Sequence, residues 1–324
     1  MNKIIYIILI LPFIYLGSNW FFSKIYRPAL NEYLNELKSR DALEKSEQLR
    51  SLDSSVLSSN TTAIECKEKI VNVEKNEYRL NDQVVFIVGH PGSGTTLLRT
   101  ILDVSPKIYC GYETRFIPNM LSMKYRFLEN LDSKEEKQYV DNALRYLLVK
   151  VMERGKPKRD ILCAKDPATI NHITYLAKIF PNIKIVHIVR DGRGSALSIM
   201  KRNKKPMDQE IFIDLIKRWN KCTMKAFYDC DNIGDDKCIH VKYEDLVTNP
   251  RSTIKQLVDF LNIEFIEEFL HHEKSKNVDF SGRYQDKTQR KINDEMLNSW
   301  DGVIEYNKSR LTNFKMFEKF GYEI

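Results

Sequence analysis

The sequence predicts an α/β domain, a central parallel sheet flanked by helices, preceded by an N-terminal membrane-spanning helix. Three observations predict it. Short apolar, β-branched runs recur near 84–89, 161–164, 184–189 and 238–243, with helical stretches between them. A glycine-rich turn, Gly89-His90-Pro91-Gly92-Ser93-Gly94-Thr95-Thr96, follows the first run directly and leads into a helical pattern. Ahead of both, Ile4 to Phe22 runs for about 19 residues without a charge, the length of one membrane span.

At 324 residues, with 43% hydrophobic and 29% charged side chains, the chain can bury a sizeable core. A wholly disordered, collagen-like or multi-spanning protein is excluded. A net charge of +7 suits an anionic ligand or an acidic partner. Residues 1–3 read as a short tail and 4–22, with Trp20 near one end, as a retained signal anchor. A cleaved signal peptide is the rival reading, but the apolar run is long for one and SNWFFSKIYRP offers no clear small-x-small cleavage site. Charge alone leaves the orientation open, with Lys3 on one side and Lys24 and Arg27 on the other. Six cysteines and the glycosylation sequons at Asn60 and Asn307 fit a lumenal body, a type II arrangement. Residues 23–81 are polar and charge-mixed, serine-rich at 51–60, and read as a stem; the remainder, 82–324, is the folded domain.

Within that domain the run Val84 to Val88 (VVFIV) has the character of a strand buried on both faces. The turn after it looks built to hold phosphate. Glycines let the backbone wrap an oxyanion, and the N-terminus of the helix starting near Leu97 adds inward N–H groups, a favourable dipole and two threonine hydroxyls. The pattern is close to GxxxxGK[ST], but Thr95 stands where the lysine belongs, which argues against ATP or GTP hydrolysis. The competing reading is a glycine turn that binds nothing.

Lys165 closes the second strand run, just before Asp166-Pro167, and strand ends are where α/β sheets gather their sites. It either aims a cation at a ligand or forms a capping cluster with Asp166. The third run, Lys184 to Val189, delivers Arg190-Asp191-Gly192-Arg193, where an arginine can fork onto phosphate or pair internally with aspartate. Ile211 to Tyr228 and Arg251 to Leu261 read as amphipathic helices. Tyr243 follows the last strand run and suits a ligand contact or a buried structural role equally. No set of His, Cys and carboxylate residues has metal-ligand spacing, and His271-His272 reads as helix surface.

Taken together, these segments resemble the protein-tyrosine sulfotransferases. The loop Pro91-Gly92-Ser93-Gly94-Thr95-Thr96-Leu97 is similar to that family's P-R-S-G-T-T-L, and Cys110-Gly111-Tyr112-Glu113-Thr114-Arg115-Phe116-Ile117-Pro118 to its C-G-x-E-T-R-x-I-P. The likeness resumes at Cys163-Ala164-Lys165-Asp166-Pro167, at Val189 to Ser195 with Ser198 and Arg202, at Trp219-Asn220-Lys221, at Tyr243 to Val247 and at Trp300, covering roughly residues 84–322.

The resemblance implies sulfuryl transfer from 3′-phosphoadenosine 5′-phosphosulfate to tyrosine in acidic segments of secretory or membrane proteins, in the Golgi membrane, without a metal or nucleic acid. It assigns Glu113 as base, although the residues alone read as a surface pair of Glu113 with Arg115, and Lys165 as the cation at the bridging oxygen. It gives Gly92, Ser93, Gly94, Thr95 and Thr96 to the 5′ end of the co-substrate and Arg190 and Ser198 to the 3′-phosphate. Arg202, Tyr243, Asp286 and Asn293 also fall at the co-substrate, and Arg115 at the peptide. It pairs Cys110 with Cys163 and Cys230 with Cys238; Cys66 and Cys222 are left as thiols, or Cys66 as a bridge between two stems in a homodimer. Three positions depart from the family: Gly92 for its loop arginine, Tyr284 for a serine and Ser299 for a lysine. The alternatives are a lumenal carbohydrate sulfotransferase, against which the Cys110 to Pro118 run argues, and a non-catalytic member that keeps co-substrate binding.

Overall fold

In the computed structural model the described residues are 82–324, except 112, 129–130, 132, 154–158 and 276–290. The expected anchor at 4–22, the stem with Asn60 and Cys66, and Asp286 lie outside them. The strands are β1 Val84–Val88, β2 Ile108–Cys110, β3 Ile161–Lys165, β4 Ile183–Val189 and β5 Cys238–Lys242. They form one sheet in the order β2-β3-β1-β4-β5, and every neighbouring pair is parallel.

Parallel strands need crossovers, and helices fill them: α1 Thr95–Leu102, α2 Phe116–Leu128, α3 Lys134–Glu153, α4 Ile173–Ile179, α5 Gly192–Arg202 and α6 Gln209–Ile233; α7 Tyr243–Thr248, α8 Pro250–Phe260 and α9 Lys315–Lys319 follow the last strand. Asp82–Lys124 and Pro157–Ile324 make one compact unit that contains the whole sheet, and Tyr125–Lys156 belongs to a second. In that second unit α3 opens on a capping box: the Glu136 amide donates to Ser133 Oγ at 3.0 Å and the Ser133 amide to the Glu136 carboxylate at 3.3 Å.

Side chains alternate across the sheet, so its two faces meet different cores. Val85, Ile87, Val186, Ile188 and Val241 pack on one face with Leu98 and Ile101 of α1 and Ile254 and Leu257 of α8. On the other face Val189 joins Ala196 and Met200 of α5, Phe212, Ile216 and Trp219 of α6, and Phe317 of α9. The helices begin where local chemistry allows. Asp208 accepts the Ile211 amide at 3.0 Å to start α6, Asp191 accepts the Arg193 amide at 2.8 Å to start α5, and Pro250 opens α8.

Both disulfides implied by the resemblance are present. Cys110 and Cys163 are register partners on β2 and β3, while Cys230 near the end of α6 is joined to Cys238 at the start of β5. Cys222 is a half-buried free thiol. The histidine pair read as helix surface is corrected in part: His272 is fully buried beneath the short helix Glu267–Lys274, and only His271 faces outward. The amphipathic pattern of Glu267–Lys274 is broken by non-helical backbone at His271, which turns the next side chain inward.

The strand order positions the site. β1 lies between β3 and β4, so the chain's connections run to one side after β1 and to the other after β3. At such a reversal the loops beyond the carboxyl ends of the strands part and leave a crevice. The glycine loop, Lys165, Arg190 and Tyr243 all emerge at that edge.

Candidate functional site

The loop from Gly89 to Thr96 wraps the carboxyl end of β1. Its turn is closed by the Ser93 amide donating to the His90 carbonyl at 3.0 Å. Gly94 has φ +100° and stands at the N-cap of α1, where no side chain caps the helix. A Cβ there would come within 2.6 Å of the Tyr243 ring, so glycine is required for both conformation and contact. Ser93 Oγ is buried and has no hydrogen-bond partner. An uncapped helix start beside an unpartnered hydroxyl suits phosphate oxygens, and the residues present fit the 5′-phosphate end of the co-substrate.

Gly92 is more than a missing arginine. Its φ is +92°, and a Cβ would lie 2.7 Å from the Ser195 carbonyl and 3.2 Å from Ser198 Cβ, so the loop presses here onto α5. Restoring the family's cation by Gly92→Arg is therefore expected to destabilise the chain by about 1–3 kcal/mol and to raise no activity. Urea midpoints of the two proteins, read with their transfer rates, check this; a faster variant of unchanged stability would refute it.

Glu113 and Lys165 meet. Lys165 Nζ donates to Glu113 Oε2 at 3.0 Å, with the lysine side chain 3% exposed and the carboxylate 25% exposed. Arg115 Nε approaches the other carboxylate oxygen at 3.6 Å, so the Glu113–Arg115 pairing read from sequence exists beside the closer one. Burial lowers the Lys165 pKa below the ordinary lysine value, opposed by Glu113 and Asp166.

Asp166 does not cap Lys165, as one sequence reading had it. Its carboxylate accepts the Thr114 hydroxyl at 2.8 Å and the Arg115 amide at 2.9 Å. Thr114 Oγ1 in turn accepts the Phe116 amide at 3.1 Å, which ties the turn to the start of α2. This anchor holds Arg115 at φ 57°, a left-handed conformation rare for arginine, and fixes Glu113 just before it. Asp166 is thus a positioning residue that spacing alone did not show; the Lys-Asp-Pro run was the only signal.

Arg190, 6% exposed, lies where β4 ends. Its guanidinium donates to the Gly92 carbonyl at 3.4 Å and the Met296 carbonyl at 2.5 Å and covers the Tyr243 ring, 4.5 Å from its centroid. Arg190 is not paired with Asp191. That aspartate instead takes a two-oxygen pairing from Arg193, which stacks on Trp300 at 3.8 Å and donates to the Glu323 carbonyl at 2.6 Å. Arg193 is the internal ion pair allowed by the sequence. Glu244 accepts the Asp191 amide at 2.9 Å and the Tyr322 hydroxyl at 2.9 Å, so the C-terminal residues brace the start of α5.

Ser198 is half-buried against Gly92, and Arg202, exposed at the end of α5, is close enough to lower the pKa of His90 in the loop. Burial is the larger cause there and brings His90 to about 4, so its ring is neutral at physiological pH. Burial likewise raises the Tyr243 pKa, keeping it a phenol. Asn293 accepts the Glu295 amide at 3.3 Å, and its segment reaches the site through Met296 rather than through Asn293 itself. Arg115 is well exposed beside Glu113.

Residues 84–267 match the sulfotransferase family. The chain is 35% identical over 257 residues to protein-tyrosine sulfotransferase 2 of Gallus gallus, covering 73% of this chain and 69% of that one. It is 34% identical over 263 residues to protein-tyrosine sulfotransferase 1 of Danio rerio, covering 76% and 74%. Among solved structures, the sulfotransferase domain of the Synechococcus PCC 7002 olefin synthase superposes with a TM-score of 0.57 at 22% identity, over 75% of this chain and 96% of that one. The fold is shared at that level.

Proposed function

Because this chain belongs to the protein-tyrosine sulfotransferase family, we propose that it moves a sulfuryl group from 3′-phosphoadenosine 5′-phosphosulfate to the phenolic oxygen of tyrosine in acidic protein segments. The observation that carries the reading is the 3.0 Å pair of Glu113 and Lys165 at the same sheet edge as the phosphate-type loop.

A phenol with a pKa near 10 attacks slowly at neutral pH unless its proton is taken up, and Glu113 is the base in reach of an acceptor at this edge. As the oxygen–sulfur bond to tyrosine forms and the sulfur–oxygen bond to phosphate breaks, the phosphate oxygen gains charge, which Lys165 is placed to stabilise. The co-substrate supplies the sulfuryl group. Residues 92–96 would hold its 5′-phosphate and Arg190 and Ser198 its 3′-phosphate, with Arg202 and Tyr243 at that same end. Arg190 retains further N–H donors beyond the two committed to carbonyls. Arg115 and the net charge of +7 favour an acidic peptide.

The same reading places the chain in the Golgi membrane as a single-pass type II protein anchored at 4–22, with glycosylation at Asn60 and at the exposed Asn307. Two disulfides support an oxidising lumen. The test is transfer of radiolabelled sulfate by the detergent-solubilised full chain to an acidic tyrosine peptide and to its Tyr→Phe twin. Label that needs the tyrosine supports the proposal. Label on glycans alone would make the chain a carbohydrate sulfotransferase, and nucleotide binding without label a non-catalytic member.

A further inference from the structure

His187 and His240 are register partners on β4 and β5, so both imidazoles stand on the same sheet face. Their Nδ1 atoms are 3.0 Å apart. Phe227 stacks on His240 at 5.1 Å, and Phe320 meets both rings edge-on at 6.4 and 5.7 Å. His187 is fully buried, and its Nε2 has no hydrogen-bond partner. Two imidazoles enclosed by aromatic rings, one with an unanswered nitrogen, cost folding free energy and call for a reason.

The third neighbour supplies one. A ring nitrogen from each histidine and Cys230 Sγ all lie within 4.8 Å of one another. Ligands at about 2.0–2.3 Å from one tetrahedral zinc ion are separated by comparable distances. The missing element is a thiolate, because Cys230 is bonded to Cys238.

We propose that reduction of the Cys230–Cys238 disulfide by a dithiol uncovers a divalent-metal site, suited to Zn²⁺, made by His187, His240 and Cys230. In that step two electrons pass from the dithiol to the cystine, the S–S bond breaks, two cysteine thiols form and the dithiol closes to its own disulfide. Cys230 then releases its proton on coordination. In the oxidised chain this cluster, among the described residues, keeps its two imidazoles but no thiolate. Because β4 leads into Arg190 and β5 into Tyr243, the metal would pin together the two strands that deliver these residues to the sheet edge.

The test uses the detergent-solubilised full chain under nitrogen with Co²⁺ as the probe. Reduced wild type is expected to bind a single equivalent with the thiolate-to-cobalt band and tetrahedral visible bands, displaced by Zn²⁺; oxidised wild type shows neither. Cys238→Ser, which frees Cys230 without any reductant, is expected to reproduce the reduced spectrum. Adding His187→Leu and His240→Leu to it should weaken Co²⁺ binding at least about tenfold. The proposal is overturned if neither thiol form gives the thiolate band, or if the band survives loss of both histidines. It also falls if circular dichroism shows both thiol forms unfolded, since no native thiol state would then exist to bind metal.

Discussion

Glu113→Gln is expected to lower kcat for tyrosine sulfation by about 10²–10⁴-fold, the range for removing a positioned general base, while nucleotide binding holds. Glutamine keeps the size of the side chain and its reach to Lys165 but accepts no proton. The fall belongs to kcat because the loop, Arg190 and Tyr243, which hold the co-substrate in the proposed reading, are not bonded to Glu113. Steady-state rates with an acidic tyrosine peptide, alongside calorimetric binding of 3′-phosphoadenosine 5′-phosphate, separate the two quantities. A variant retaining more than about a tenth of wild-type kcat would remove Glu113 from the role of base. A variant that lost nucleotide binding as well would make it a structural partner of Lys165 instead.

Asp166 offers a complementary view of the same residue. It acts on Glu113 through the turn it anchors, by the Thr114 hydroxyl and the Arg115 amide. Its buried carboxylate has its pKa raised by burial and opposed by those two donors. Glu113 is therefore placed by a carboxylate at the end of β3, acting through the two turn residues that follow Glu113.

That distinction marks how far the sequence could be read. β1, the glycine loop and α1 were legible because an apolar β-branched run, glycines and helical periodicity follow one another without a gap. β2 was not, since Ile108–Cys110 is three residues long and carries no period of its own. The expected strand near 238–243 closes at Lys242, and Tyr243 instead begins α7, with its ring against Gly94 and Arg190. So the buried structural role of Tyr243 is the one its contacts show. The strand order was unreadable, because nothing local states that β1 separates β3 from β4. The meeting of Met296 with Arg190 joins residues 106 positions apart, and that of His187 with His240 joins residues 53 apart; pairings of that span leave no trace in spacing.

Lys165→Met is expected to reduce kcat by about 10²–10³-fold, the cost of losing one preorganised charge at the leaving oxygen. Methionine preserves the buried stem, which is 3% exposed, so the loss is electrostatic and not one of packing. Because Lys165 and Glu113 touch, their effects are coupled: Glu113→Gln/Lys165→Met should fall short of the product of the two single losses. The pH profile gives an independent reading. Burial lowers the Lys165 pKa from 10.5, so the cation is lost at a lower pH than for an ordinary lysine, and activity should decline on the alkaline side before pH reaches that value. The sign follows directly: the active form is protonated, a lowered pKa moves deprotonation downward, and rising pH removes the charge. Lys165→Arg keeps a cation whose proton is held far more tightly, so whatever rate it retains should stay level across the same alkaline range. Profiles of kcat against pH for wild type and Lys165→Arg decide the matter. Matching alkaline declines would assign that limb to another group, and a Lys165→Met rate within tenfold of wild type would leave the leaving oxygen to the loop amides at the start of α1.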